Sequence, residues 1–311
     1  MNTGRGAALT LVIIAHNLLF PEKIEKIYRI FTNMRTKIIS VVFLLISVLL
    51  LQDCTRITSA GKTSNIPVKV ISYNIHIASP PSVKPDFSVT DLKAVAAVIN
   101  REKPDLIALQ EVDAYTIRSG KDSHQAKDLA EMTGMHYHFA KAIDHSEGDY
   151  GAAVLSRHPI IESEIHKLSV TEGSGGEIRP LAIVTVDLAG EKVVFMSVHL
   201  DHRSDVDRRF QVEQLLDVTR LHDQDPVILC GDFNMRPENE IFNLIRQQFS
   251  MIGEKQPFTH SSTNPTRTLD YILLNKKASE LFEIVNYTTV DEKYASDHLP
   301  VMLEFVIKRE N

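Results

Sequence analysis

Pro226-Val-Ile-Leu-Cys-Gly231 runs without a break into Asp232-Phe-Asn234, and the fold is read outward from this stretch. A continuous apolar run between a proline and polar turn formers describes a strand covered on both faces. Such strands belong to sheets buried between other layers. A carboxylate and a carboxamide where the strand ends are either turn formers or groups delivered to a site. Cys230 lies inside the run and reads as a small buried hydrophobe. Cys54 is the only other cysteine, so no disulfide between the two is expected.

Upstream, Ile71-Ser-Tyr-Asn-Ile-His-Ile77 alternates apolar and polar residues, the period of a strand. Asp91 then caps a helix whose apolar face is Leu92, Val95, Ala96 and Ile99, and Pro104 ends it. A buried strand follows at 106–109. Further strands are expected at 151–155, 181–187, 192–200, 227–231, 269–274 and 301–307. Helices are expected at 125–132, 205–221 and 238–248, and surface loops at 173–176 and 255–267. Strands with helices between them make an α/β domain. Two sheets packed face to face with helices outside fit this pattern, and so does one open sheet.

Polar residues recur where the apolar runs stop: Asn74, Glu111, His199, Asp232, Asn234, Asp270, Asp297 and His298. One carboxylate at a buried strand end is ordinarily a cap or a turn former. A whole set facing one end of a sheet would repel itself unless a cation or an anionic substrate organised it.

Taken in order, Asn74, Leu109-Gln-Glu-Val112, the segment from Tyr150 to Ile160, Val198-His-Leu-Asp-His202, Gly231-Asp-Phe-Asn234, Leu269-Asp-Tyr-Ile272 and Ser296-Asp-His298 resemble the motifs of the endonuclease/exonuclease/phosphatase superfamily. That group includes pancreatic deoxyribonuclease, abasic-site endonucleases, bacterial sphingomyelinases and inositol polyphosphate phosphatases. The resemblance implies a four-layer α/β sandwich, two packed mixed β-sheets flanked by helices, over residues 67–309. It also implies a phosphoester substrate and a divalent cation, Mg²⁺ or in its place Mn²⁺, since oxygen ligands suit a hard ion.

By the same resemblance Glu111 is the principal metal ligand, with Asn74 and Asp297 beside it. Asp232 would orient or deprotonate the attacking water, and Asn234 would hold that water or a phosphate oxygen. His298 would stabilise developing charge or protonate the leaving oxygen, with Asp270 fixing its tautomer. His199 would be a second histidine bracketing the phosphate. Tyr150 either hydrogen-bonds a phosphate oxygen or packs at a strand edge. Arg179 either clamps a substrate phosphate or pairs near Glu177 on the surface. Arg118 and Ser119 resemble the same group, in a loop that could equally be structural. No role falls to the other eleven histidines, including His76, His124 and His202.

The N-terminal region speaks to location. Met34-Arg-Thr-Lys37 is basic, residues 38–51 are almost wholly apolar, and Cys54 follows Gln52-Asp53. This resembles a bacterial lipoprotein signal, although Asp53 stands where such signals favour a small residue. A signal or lipid-anchored segment at 1–53, a polar tether at 54–66 and an extracytoplasmic, cell-envelope location are therefore expected. Residues 1–33 read as an extension upstream of the true start at Met34. Net charge is −6, and residues 1–53 carry six basic and three acidic groups, which leaves the remainder at −9. So acidic a body argues against coating duplex nucleic acid with a broad basic face, and no stable nucleic-acid partner is expected.

Overall fold

The computed structural model describes residues 67–82, 87 and 89–308. The signal, extension and tether expected within residues 1–66 lie outside them. Among the described residues, twelve strands form two six-stranded sheets with the orders β11-β12-β1-β2-β4-β3 and β5-β6-β7-β8-β10-β9. The first sheet contains β1 (Val68–Asn74), β2 (Leu106–Ala114), β3 (His136–His145), β4 (Gly148–Ser156), β11 (Phe282–Thr289) and β12 (Val301–Ile307). The second contains β5 (Ile160–Leu168), β6 (Arg179–Leu188), β7 (Glu191–His199), β8 (Val227–Asp232), β9 (Phe249–Met251) and β10 (Asp270–Asn275).

Each sheet has one parallel pair at its centre, β1 with β2 and β7 with β8, and every other pairing is antiparallel. Parallel neighbours need a crossover, usually a helix. Helix α1 (Leu92–Glu102) supplies the first, and a longer helix, Asp205–Thr219, the second. Asp91 caps α1 by accepting from the Ala94 N–H at 3.0 Å, and the left-handed Lys103 ends it before Pro104. Helix α2 (Gln125–Thr133) also covers the first sheet. The helix Asp205–Thr219 is α3, and with α4 (Phe242–Ile245) it covers the second. A short α5 (Lys276–Leu281) links β10 to β11.

Three apolar clusters bind the layers together. Val70, Ala108 and Val154 of the first sheet meet Val184, Phe195, Ile228 and Cys230 of the second. Ile107 and Leu109 back onto Val95, Ile99 and Leu129 of the helices. Leu229 and Tyr271 back onto Val212, Leu215 and Phe242. Truncating Phe195 to Ala at the inter-sheet face should cost ~3–5 kcal/mol. The order of layers is helices, sheet, sheet, helices, so the chain is a four-layer sandwich and the open-sheet alternative falls away.

Three local readings need correction. The first strand stops at Asn74, because the chain turns into a 3-10 segment at His76–Ala78 with positive φ at all three residues. Between 238 and 248 only Phe242–Ile245 is α-helical. The Asn239 carboxamide captures the Ile241 N–H at 2.9 Å, and the next N–H groups bond to carbonyls three residues back. Competition of this kind from asparagine weakens a helix start. The loop at 255–267 lies partly against the core rather than free on the surface. It closes onto the segment before β12 through Ser262 N–H to Asp297 O and Leu299 N–H to Thr259 O, both at 2.7 Å.

Candidate active site

Both parallel pairs end at the same cavity, and the antiparallel strands beside them begin there. Asn74 closes β1 beside Gln110 of β2. His199 closes β7 beside Asp232 of β8, and Asp270 opens β10 opposite Asp232. Ser296 hooks its hydroxyl onto the Asn74 carbonyl at 2.7 Å, which draws Asp297 and His298 to the same edge. Glu111 arrives by a bulge. Between Leu109 and Val112 the strand β2 carries one residue more than β4, and Glu111 takes a left-handed φ of 55°. A non-glycine residue in that region is strained, and strain of this kind gathers at functional sites. Gly151, across the bulge, has no space for a Cβ, which would lie 2.0 Å from the Ala140 carbonyl oxygen.

The polar network is continuous. Asn74 is fully buried and donates its two amide hydrogens to Glu111 Oε1 and Asp232 Oδ2, each at 3.0 Å. His298 Nδ1 donates to Asp270 Oδ2 at 2.8 Å, and its Nε2 lies 3.8 Å from Asp232 Oδ2. Burial opposes charge on His298, yet Asp270, Asp232 and Asp297 together outweigh it and hold the ring up to about 10. Asp232 is pushed up to about 7, first by burial and then by the Asp270 charge. A carboxyl group poised near neutrality beside a cationic imidazole is the arrangement general acid–base chemistry needs.

His199 is placed differently. Its Nε2 lies 3.6 Å from Asp232 Oδ2 and 3.0 Å from the Asn234 amide nitrogen, while Arg179 Nη1 stands 3.4 Å from its Nδ1. Burial first, then Arg179, His298 and His202, hold this ring well below the ordinary imidazole range. Arg179 pairs with Glu177 at 3.7 Å, as one of its two expected roles had it, but at 2% exposure it does so in the cavity wall and not on the surface.

A family model described as the Endonuclease/Exonuclease/phosphatase family matches residues 71–298, from β1 to His298. The chain belongs to this family. Its members hydrolyse phosphoesters and typically depend on a divalent metal. The uncharacterized protein YbhP of Escherichia coli K12 is 26% identical over 261 residues, covering 78% of this chain and 98% of YbhP. Among solved structures, a mannosyl-6-phosphatase of Bacteroides thetaiotaomicron matches with TM-score 0.63 at 20% identity, over 77% of this chain and all of that one. The catalytic domain of human nocturnin, solved with bound sulfate, matches with TM-score 0.60 at 21% identity, over 78% of this chain and 94% of its own. At those identities the two structures speak for the fold.

The family's usual divalent ion finds fitting donors here. Among the described residues, Asp297 Oδ1 is buried without a hydrogen-bond partner, Glu111 bonds to Asn74 through Oε1 alone, and the Asn74 carboxamide oxygen accepts only the His76 N–H. These are oxygen donors, as a hard cation requires. Asp232, Asp270 and His298 also lie within 4.8 Å of one another. His298 has spent Nδ1 on Asp270, however, so this trio is better suited to moving protons.

The cavity, of about 510 Å³, is also lined by residues that the motifs did not single out: His76, His145, His202, His260, Arg267 and Glu177. His76 Nδ1 and His260 Nε2 flank Asp297 at 3.8 and 3.7 Å. Arg267 Nη2 donates to His260 Nδ1 at 2.6 Å. His76 stands two residues after Asn74, and His202 closes the quoted His199 motif, so proximity in sequence could have raised both. Nothing local marks His260 or Arg267. Arg118 and Ser119 bond to buried Asp113, the structural role weighed for them, and Arg118 also faces the cavity and Tyr150.

Proposed function

We propose that this chain is a divalent-metal-dependent hydrolase of phosphoester bonds, acting in the cell envelope on a small-molecule, lipid-headgroup or phosphosugar substrate. One observation carries the reading: Asn74 ties Glu111 to Asp232, and Asp270 holds His298 beside that same Asp232. A bound divalent ion would supply Lewis-acid polarisation of a non-bridging phosphate oxygen. Glu111, Asp297 and the Asn74 carboxamide oxygen would hold it.

The chain's own groups do the rest. Asp232 orients the attacking water and takes its proton. Asn234 steadies that water or a phosphate oxygen. His298, cationic and fixed by Asp270, stabilises the charge that builds at phosphorus or protonates the leaving oxygen. His199, uncharged, brackets the phosphate, and Tyr150 and Arg179 face the substrate from the cavity wall. The acidic body and the modest cavity favour a compact substrate over an extended nucleic acid. The basic, apolar and cysteine sequence at 34–54 supports the envelope location and a signal or lipid anchor to the membrane.

The test is parallel turnover of bis(4-nitrophenyl) phosphate, sphingomyelin, RNA and plasmid DNA with Mg²⁺. Hydrolysis of the small diester, abolished by EDTA and by Glu111→Gln, is expected. Robust plasmid nicking at moderate salt would replace the compact substrate with a nucleic acid. No turnover of any substrate would make the chain a silent binding module.

A further inference from the structure

We propose that Arg179 and His202 form a second anion subsite, so that the natural substrate carries another phosphate or carboxylate besides the scissile group. The scissile group itself rests on the phosphoesterase reading above. Arg179 Nη2 donates to His202 Nδ1 at 2.9 Å, Nη1 reaches His199 Nδ1 at 3.4 Å, and Nε is buried without any partner. Glu177 is 3.7 Å from Nη1, and among the described residues no carboxylate lies within hydrogen-bond distance of this guanidinium. Arginine does not shed its proton, and a buried charge ordinarily finds a close counter-charge. Here the hydrogen bonds go to ring nitrogens, Glu177 stands off at ion-pair distance, and the unpartnered Nε is left for an anion.

His202 lies between two guanidinium groups: its Nδ1 faces Arg179 at 2.9 Å, and its Nε2 lies 3.4 Å from Arg203 Nε. Arg179 and His202 line the cavity on an otherwise acidic protein. The place of the subsite follows from His199, whose ring stands between Arg179 and Asp232 at 3.4 and 3.6 Å. An anion on Arg179 is therefore separated by an imidazole from the carboxylate that activates water, and it is not the group attacked. Two anionic groups a few bonds apart, as in a sugar bisphosphate or a phosphorylated sugar acid, fit a cavity of about 510 Å³.

Calorimetric titration of the full chain with inorganic phosphate in EDTA isolates this subsite from any bound cation. Wild type and Glu111→Gln should bind alike, and Arg179→Gln at least about tenfold more weakly. His202→Leu, at an exposed ring whose loss does not threaten folding, should cost about threefold. Equal phosphate affinity in wild type, Arg179→Gln and His202→Leu would overturn the proposal, as would no phosphate binding by wild type. Inhibition of bis(4-nitrophenyl) phosphate turnover then separates the anions. Fructose 1,6-bisphosphate against fructose 6-phosphate probes phosphate, and 6-phosphogluconate against glucose 6-phosphate probes carboxylate. At least one ligand with two anionic groups should win by about tenfold in wild type, with the gap closing in Arg179→Gln. A gap unchanged by that substitution defeats the subsite. If the diester is not turned over at all, the phosphoesterase reading fails and the EDTA titration still decides the subsite.

Discussion

His298 and His199 are the same residue in nearly the same burial, 6% and 3% exposed, at 3.8 and 3.6 Å from one carboxylate oxygen of Asp232. Their charges are opposite in tendency. Behind His298 stands the Asp270 carboxylate, and the ring is held up to about 10 against the pull of burial. Behind His199 stands the Arg179 guanidinium, which adds to burial and drives the ring well down. What an imidazole does in a buried site is thus decided by the group at its far nitrogen. One side of the cavity holds a cationic acid and the other a neutral ring.

The largest effect should fall on the cationic side. His298→Ala and Asp232→Asn should each lower kcat on bis(4-nitrophenyl) phosphate by at least about 10² at saturating Mg²⁺. His199→Ala should cost about tenfold, the worth of one neutral hydrogen bond. Equal losses at the two histidines would break the comparison.

A smaller effect concerns pH. The rate constant kcat/KM should rise through about 7 as Asp232 loses its proton, and fall through about 10 as His298 loses its own. Asp270→Asn removes the nearest carboxylate and should draw the alkaline limb downwards. Stability should follow the same ring. Its folded value lies above the unfolded imidazole value of about 6.5, so the stabilisation is complete below that pH and is lost as pH rises to about 10. Thermal melts of wild type and Asp270→Asn across that window should converge at its alkaline end. A constant separation would show that the pair is merely structural.

The sequence made the central strands legible because they are continuously apolar or alternate cleanly, as in β1, β8 and β12. It hid β5 and β11, whose residues are largely exposed along sheet edges and carry little apolar pattern. The site residues at strand ends stood out because each interrupts an apolar run. Their states did not. Asp270 lies 28 positions from His298, a pairing that only the family resemblance supplied, and Arg179 lies 20 from His199, brought to its ring by the pairing of β6 with β7. The bulge that turns Glu111 inward was equally invisible, because Leu109-Gln-Glu-Val112 is compatible with an unbroken strand.

The finest test of the comparison asks how far Arg179 alone sets the His199 state. Burial is the first cause of its depression and Arg179 the second, with His298 and His202 contributing less. Replacing the guanidinium by glutamine therefore should move the His199 titration upward without carrying it past about 6.5, since the ring stays enclosed. Imidazole ¹⁵N and ¹H shifts followed on both sides of about pH 6.5 should place the His199 inflection lower in wild type than in Arg179→Gln. The His298 signal should be unmoved by the same change, because its own backing group is Asp270. If His199 titrates identically with and without Arg179, desolvation by itself accounts for the neutral ring, and the contrast between the two walls owes nothing to the arginine.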